Sequence, residues 1–317
     1  MQYKQLPYIK NPVSRILFGT AMSPFFEDGE ADHILDAVYE MGITSFDTAR
    51  RYGLAERSLG RWVEKNNLRE KLVILSKCAH HDDFGNKRVS EKDIREDLEI
   101  SLNELRTNHI DIYLLHRDDP EVPAGEIVSL LNELHEKGHI GAFGASNWSH
   151  ERIAEANAYA KAKGLIPMTI SSPNFSLAEQ VEDPWGGGCI SISGPKEAAA
   201  RAWYLENNMP VFAYSSLAHG LLSGRVKNRA DAEKLLGEAA VKGYASEDNF
   251  IRIARAEKLG KEKGLTIAQV AMAYLFNTEL DVFAIVSSAS KERMQANIAA
   301  SEVMLTKAEM DYLDLKD

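Results

Sequence analysis

Residues 110–146 have the sequence IDIYLLHRDDPEVPAGEIVSLLNELHEKGHIGAFGAS, in which two apolar runs flank one amphipathic stretch. The runs at 110–115 and 140–146 have the length of buried strands, and the stretch between them predicts a helix over 124–137. A strand, a helix and a second strand in this order are typical of a parallel sheet.

The same alternation extends along the chain in both directions. Ile94, Leu98, Leu102 and Leu105 fall at helical spacing with charged residues between them, and Ser90 is suited to cap that helix. Strands are predicted at 15–20, 44–48, 72–76, 110–115, 140–146, 168–172, 210–214 and 282–286. Helices are predicted at 30–41, 54–66, 90–106, 124–137, 149–163, 194–207 and 247–263, with a closing helix near 307–316.

Eight strands alternating with helices predict an α/β fold, a single (β/α)8 TIM barrel with extra helices near the C-terminus. A doubly wound open sheet is the alternative. No stretch rich in Pro, Gly or Ser separates the chain into parts, so residues 1–317 are interpreted as one barrel domain. In such a barrel the catalytic residues lie at the carboxyl ends of the strands and in the loops that follow.

The composition excludes several classes of protein. With 37 basic and 47 acidic residues the formal net charge is −10, which disfavours nucleic acid as a partner. Two cysteines cannot form a disulfide scaffold. No apolar run approaches the roughly 20 residues that cross a membrane, and the first residues lack the apolar segment of a secretion signal. We therefore expect a cytoplasmic enzyme without a membrane partner; its oligomeric state is not indicated.

Four ionisable residues lie at the ends of three successive predicted strands or in the loop just after one of them: Asp47, Tyr52, Lys77 and His116. Taken singly, each has an ordinary structural interpretation, such as a helix cap or a satisfied core histidine. Together they suit one chemistry. A Tyr hydroxyl, with its usual pKa near 10, donates a proton better when a Lys ammonium stabilises the phenolate and an Asp holds the Lys. Because none of these side chains delivers hydride, a cofactor is required.

Five segments carry a resemblance to the aldo-keto reductase superfamily, which extends from about Gly19 to Asn297. They are GITSFDTARRYGLAERSLG (42–60), ILSKC (74–78), IDIYLLHRDDP (110–120), FGASNW (143–148) and FAYSSLAHGLLSG (212–224). The resemblance implies that Tyr52 is the general acid/base, that Lys77 and Asp47 tune it, and that His116 orients the carbonyl group. It also implies reversible hydride transfer between a nicotinamide cofactor and an aldehyde or ketone. The possible substrates include sugars and small aliphatic or aromatic carbonyl compounds.

The resemblance further implies an extended cofactor, with NADP(H) preferred and NAD(H) the alternative. Gly19 and Thr20 would line its reactive end, together with Asp47. Ser146, Asn147 and Ser172 would meet the nicotinamide amide, although the family usually has Gln in place of Ser172. Tyr214 would stack on the ring, and Ser215, Ser216, Leu217 and Gly224 would cover the pyrophosphate. Ser288, Arg293 and Asn297 would form the adenosine site. Some members have Lys in place of Ser287, so the preference for NADP(H) depends mainly on Arg293.

Two other functions remain open at this stage. The same fold serves as a redox-sensing regulatory subunit of potassium channels, and metal-dependent barrel hydrolases also use strand-end His, Asp and Lys, although no metal site is predicted here. His80-His81-Asp82-Asp83 is interpreted as a solvated loop rather than a metal cluster. Candidates for the substrate pocket, with ordinary packing as the alternative, are Phe25, Phe26, Trp148 and Trp185.

Overall fold

The computed structural model describes residues 1–27, 30–185 and 187–316. The chain divides into two compact units, unit 1 with Met1–Ser172 and unit 2 with Pro173–Asp317. Eight parallel strands form a closed barrel, in which each strand is hydrogen-bonded to the next one along the chain and the last to the first. The predicted (β/α)8 barrel is confirmed, and the open sheet is excluded. The interpretation of residues 1–317 as one domain stays a prediction.

Unit 1 contains most of the strand–helix repeats. Its strands are β1 Tyr3–Lys4, β2 Val13–Ser14, β3 Ile16–Gly19, β4 Ser45–Asp47, β5 Val73–Cys78, β6 Ile110–Leu115, β7 Ile140–Ser146 and β8 Ile170–Ser172. Its helices are α1 Asp32–Glu40, α2 Ala55–Lys65, α3 Glu91–Glu104, α4 Ala124–Glu136 and α5 His150–Lys163, with a 3₁₀ turn at Arg69–Lys71.

Burial explains why the strands of unit 1 have continuous apolar sequences. Every residue of β5, β6 and β7 is buried, because a parallel barrel strand is covered on both faces. The helices begin where the sequence predicts: the hydroxyl of Ser90 accepts the backbone N–H of Asp93 at 3.2 Å and caps α3.

Unit 2 is richer in helices than the sequence analysis predicted. Its strands are β9 Val211–Ala213 and β10 Val282–Val286. Its helices are α6 Ala198–Glu206, α7 Arg229–Leu235, α8 Glu238–Tyr244, α9 Glu247–Lys263, α10 Ile267–Phe276, α11 Lys291–Ala300 and α12 Lys307–Leu313, with 3₁₀ turns at Pro195–Glu197 and Ala218–Ser223.

Three features of the structure differ from the sequence predictions. β5 continues past residue 76 through Lys77 and Cys78, so Lys77 lies inside the strand. The predicted helix at 194–207 begins as a 3₁₀ turn and becomes α-helical only at Ala198. The N-terminal hairpin of β1 with β2 was not predicted, because two-residue strands carry no periodic signal. Among the described residues, no helix has the length and apolarity needed to cross a membrane.

Candidate active site

The polar residues of the site occupy the carboxyl ends of neighbouring strands in unit 1. Asp47 is the last residue of β4 and lies in register with Gly19 of β3. Lys77 is the penultimate residue of β5, and His116 directly follows β6. This placement follows from the parallel order of the strands, whose carboxyl ends meet at one rim.

Lys77 connects the other two ionisable groups of this cluster. Its ammonium donates to a carboxylate oxygen of Asp47, to the backbone carbonyl of Thr48 at 3.0 Å and to the hydroxyl of Tyr52 at 3.5 Å. Asp47 and Lys77 are each 3% exposed, whereas Tyr52 is only partly buried. The structure thus brings three of the four predicted residues into direct contact, with Lys77 in the middle.

Burial and mutual charge interactions shift the pKa values of Asp47, Lys77 and Tyr52. Burial raises the pKa of Asp47, an effect that the ammonium of Lys77 opposes. Burial alone would lower the pKa of Lys77, but the attraction of Asp47 and Tyr52 outweighs it and raises that pKa. Burial raises the pKa of Tyr52, and Lys77 again acts in the opposite direction. At neutral pH, Tyr52 therefore carries its proton and Lys77 its charge.

His116 completes the cluster as a neutral imidazole. Its ring lies edge-on to the ring of Tyr52, with 5.5 Å between centroids. Burial, together with the positive charge of Lys77, holds the pKa of His116 well below its usual value. Its Nδ1 is buried and has no hydrogen-bond partner among the described residues. A neutral imidazole keeps one N–H, which can donate to a substrate oxygen.

Thr20 and Asn147 tie this cluster to the surrounding backbone. The N–H and the hydroxyl of Thr20 both donate to the backbone carbonyl of Asp47, at 2.9 and 3.0 Å. Asn147 has a left-handed backbone, with φ of 60°, and its amide donates to the carbonyl of His116 at 3.1 Å. The bonds of Thr20 hold the backbone at Asp47, and the bond of Asn147 holds the backbone at His116.

Ser146, Asn147 and Ser172 lie together, as the sequence predicts. The hydroxyl of Ser146 donates to the backbone carbonyl of Ser172 at 2.8 Å and accepts the amide of Asn147 at 3.2 Å. All three residues are buried. The hydroxyl proton of Ser146 and both amide protons of Asn147 are engaged in these bonds and the one to His116, so these two side chains would meet a primary amide such as that of nicotinamide through their oxygen atoms.

The remaining predicted cofactor residues are in unit 2. Ser215 has a left-handed backbone with φ of 53°, and Gly224 has φ of 86°. The hydroxyl of Ser216 is directed to the backbone carbonyls of Ala213 and Ile285, at 3.0 and 3.1 Å. The other members of the predicted set are Tyr214 and Leu217, both partly buried.

The predicted adenosine residues lie around the start of α11. Arg293 is exposed in the first turn of this helix, and its backbone N–H is capped by Ser290 at 3.3 Å. Ser288 accepts the N–H of Ser290 at 3.1 Å, and Asn297 is buried one turn further on. A helix N-terminus beside an exposed guanidinium suits a phosphate group.

The four candidates for a substrate pocket divide into two kinds. Phe25 and Trp148 are fully buried, and the indole N–H of Trp148 donates to the carbonyl of Arg117 at 3.2 Å. Both are packing residues. Phe26 and Trp185 are 42% and 46% exposed and remain available to a ligand.

Sequence analysis did not single out two further ionisable residues that the structure buries in full or in part. His80, in the loop that was interpreted as solvated, is partly buried, and its ring lies 4.8 Å from that of His116. Glu56, in the first turn of α2, is buried and accepts the hydroxyl of Ser76 at 2.5 Å. Burial raises the pKa of Glu56 to about 7. Its place in the segment at 42–60, four residues after Tyr52, was the available signal.

Comparison with known proteins gives a consistent family assignment. A model of the "Aldo/keto reductase family" matches residues 15–317. Aldo-keto reductase str7 of Strobilurus tenacellus is 27% identical, over 89% of this chain and 80% of its own length. The probable voltage-gated potassium channel subunit beta of Arabidopsis thaliana is 25% identical, over 99% of this chain and 96% of its own. The versiconal hemiacetal acetate reductase of Aspergillus parasiticus is 27% identical, with the same coverage of 99% and 96%.

Proposed function

The chain belongs to the aldo/keto reductase family, and from this we propose that it is an NADP(H)-dependent oxidoreductase that interconverts an aldehyde or ketone and the alcohol. Sugars and small aliphatic or aromatic carbonyl compounds are the candidate substrates. The observation that carries the proposal is the ammonium of Lys77, which contacts both the carboxylate of Asp47 and the hydroxyl of Tyr52.

Tyr52 acts as the general acid in the reductive direction. Its hydroxyl gives a proton to the carbonyl oxygen, and the ammonium of Lys77 stabilises the phenolate that remains. Asp47 keeps Lys77 charged and in place, since a buried ammonium without a carboxylate would lose its proton more readily. The neutral imidazole of His116 donates a hydrogen bond to the same carbonyl oxygen and orients it. In the oxidative direction Tyr52 takes the proton back.

The residues around the cluster suit a nicotinamide cofactor. When bound, NADP(H) supplies or accepts the hydride. Ser146, Asn147 and Ser172 would hold its amide, while Gly19 and Thr20 line the reactive end. In unit 2, Tyr214 would contact the ring and Ser215, Ser216, Leu217 and Gly224 the pyrophosphate. Ser288, Arg293 and Asn297 would hold the adenosine part. NAD(H) as a second cofactor and a cytoplasmic location stay predictions.

The proposal is tested by the variant Tyr52→Phe, which removes the donated proton and leaves the ring. We expect the hydride-transfer step, measured as NADPH absorbance in a single turnover, to slow by roughly 10²- to 10⁴-fold. Cofactor binding, measured by fluorescence, should change little. Tyr159→Phe on α5 is the matched control. A Tyr52→Phe protein that reacts at the wild-type rate would contradict the assignment.

A regulatory subunit with little turnover is the second candidate function. The observation that favours it is the similarity to the Arabidopsis protein, whose name describes a potassium channel subunit. Steady-state NADPH consumption with a panel of aldehydes, ketones and sugars separates the two candidates. Tight cofactor binding without turnover on any member would favour the regulatory function.

A further inference from the structure

The imidazole of His116 lacks the hydrogen bond that usually orients a functional histidine. In most such sites one ring nitrogen bonds to a backbone carbonyl or a carboxylate, and this bond fixes both the ring and the position of its proton. The Nδ1 of His116 is buried and, within residues 1–27, 30–185 and 187–316, has no hydrogen-bond partner. The orientation of the ring therefore depends on the groups that pack against it.

The rings of Tyr52 and His80 both pack edge-on against His116. The centroid of the Tyr52 ring lies 5.5 Å away, at an interplanar angle of 80°. The ring of His80 is closer, at 4.8 Å and 77°. Such edge-to-face contacts between rings have a preferred geometry, so each of them restricts the rotation of His116. Tyr52 has its own part in the proposed proton transfer, whereas His80 has none.

The ring of His80 is itself held in place by a hydrogen bond. Its Nδ1 lies 3.0 Å from the backbone carbonyl oxygen of His81. Because a carbonyl oxygen only accepts hydrogen bonds, this nitrogen carries the proton and donates it. Burial lowers the pKa of His80, and the charges of Arg117 and Arg51 act in the same direction. At neutral pH, His80 is therefore an uncharged ring that is anchored to its own backbone.

The backbone after β5 turns sharply before it reaches His80. The N–H of His116 donates to the carbonyl of Cys78 at 2.7 Å, so His116 lies beside the end of β5. The next residue, Ala79, has a left-handed backbone with φ of 61°, which a residue with a Cβ rarely adopts. The carboxylate of Asp97 accepts the N–H of Ala79 at 2.9 Å and stabilises this turn. Strained residues of this kind are concentrated at functional sites.

We propose that His80 is a positioning residue, whose anchored ring holds His116 in the orientation that donates a hydrogen bond to the carbonyl oxygen of the substrate. This role rests on the proposed function, since the carbonyl oxygen belongs to the proposed reaction. His80 acts through His116 and is not itself a catalytic residue.

The ring of His80 also keeps water away from His116. Burial is the main reason why the pKa of His116 is low, and the charges of Lys77 and Arg117 contribute to it. Tyr52 is protonated at neutral pH and adds no charge. If the His80 ring were removed, water would reach His116 and its pKa would rise towards the ordinary value, although Lys77 and Arg117 would still oppose that rise.

The first test needs no turnover. The ring nitrogens of His116 are followed by nitrogen NMR between pH 5 and pH 8 in the full-length protein without substrate. We expect His80→Ala to raise the pKa of His116, because water replaces the ring. His81→Ala is the matched control, because it removes the neighbouring imidazole and keeps the backbone carbonyl that anchors His80. It should leave the titration of His116 unchanged.

The second test measures the single-turnover rate of aldehyde reduction. We expect His80→Ala to slow this step by roughly 5- to 50-fold and to change KM much less, because a misaligned donor stabilises the transition state poorly. His80→Phe keeps a ring and should recover most of the rate. His80→Asn keeps an amide that can bond to the carbonyl of His81 but has no ring, so it should resemble His80→Ala.

Two results would overturn the positioning role. One is that His80→Ala matches His81→Ala in both the rate and the titration of His116. The other is that His80→Asn behaves like wild type while His80→Phe does not, since the ring would then have no effect. If His80→Ala does not fold, the comparison of His80→Phe with His80→Asn decides in the same way. If no carbonyl compound is reduced but the titration of His116 depends on the His80 ring, the proposed function is wrong and the positioning of His116 is supported.

Discussion

Replacing Lys77 by Met removes the positive charge next to Tyr52 and keeps the length of the side chain. The ammonium lies 3.5 Å from the hydroxyl oxygen of Tyr52. With an effective dielectric constant near 20, two unit charges at this distance interact by about 5 kcal/mol. This energy corresponds to roughly 3.5 pKa units of phenolate stabilisation.

Only part of this interaction energy lowers the barrier to reductive hydride transfer. Because the proton is incompletely transferred in the transition state, between half and nearly all of the charge develops on the phenolate oxygen. We therefore expect Lys77→Met to slow reductive hydride transfer by roughly 50- to 3,000-fold. The rate should be lower than that of wild type at every pH from 6 to 9, because burial already raises the pKa of Tyr52 and the loss of the ammonium raises it further.

The assay is a single turnover of NADPH with an aldehyde, followed by absorbance from pH 6 to pH 9. Lys163→Met is the matched control, because its ammonium lies 6.0 Å from the ring centre of Tyr159, away from the cluster. The double variant Asp47→Asn/Lys77→Met removes the unpaired buried carboxylate and guards against a folding defect. If the folded Lys77→Met protein keeps the chemical step within 5-fold of wild type, the role assigned to Lys77 is wrong.

Three further predictions concern stability and the cofactor. Glu56 has a folded-state pKa of about 7 against an ordinary 4.5, so its folded form binds extra protons and stability falls as pH rises between these values. Urea unfolding should show Glu56→Gln to be more stable than wild type by up to about 3 kcal/mol at pH 8 and by much less at pH 5; an equal difference at both would contradict the assignment. Arg293→Ala should weaken NADPH binding far more than NADH binding by fluorescence titration, whereas equal losses would place the 2′-phosphate elsewhere. Gly53→Ala puts a Cβ 2.5 Å from the carbonyl oxygen of Phe26 at a φ of +56°. We expect it to lower the free energy of unfolding by roughly 1–3 kcal/mol and to slow turnover through Tyr52, and wild-type unfolding would show that the turn relaxes freely.

The sequence predicts the barrel because buried parallel strands leave continuous apolar runs. The bounds of β6, β7 and β10 agree with the predicted ranges. The end of β5 was misjudged, because Lys77 looked like a strand boundary. A lysine can occupy a buried strand position here only because Asp47 provides a carboxylate from the neighbouring strand, which a single segment of sequence cannot show.

The helices of unit 2 were harder to predict for a different physical reason. Seven of the ten residues of α10 are buried, so its sequence, IAQVAMAYLF, lacks a polar face and gives little helical periodicity. The capping box of Thr266 with Gln269 was the signal that could have located its start.

Asp47 makes two structural contacts. Its carboxylate pairs with the ammonium of Lys77, and its backbone carbonyl accepts the hydroxyl of Thr20, which follows the neighbouring strand. Side chains along a strand alternate between the two faces of the sheet. An insertion or deletion of one residue within β4 would therefore turn this carboxylate outwards and leave the ammonium without its counter-charge, even though every functional residue would still be encoded. Laboratory evolution of new substrate preferences should accordingly tolerate length changes in the loop after β5, beyond His81, and reject them in β4 itself.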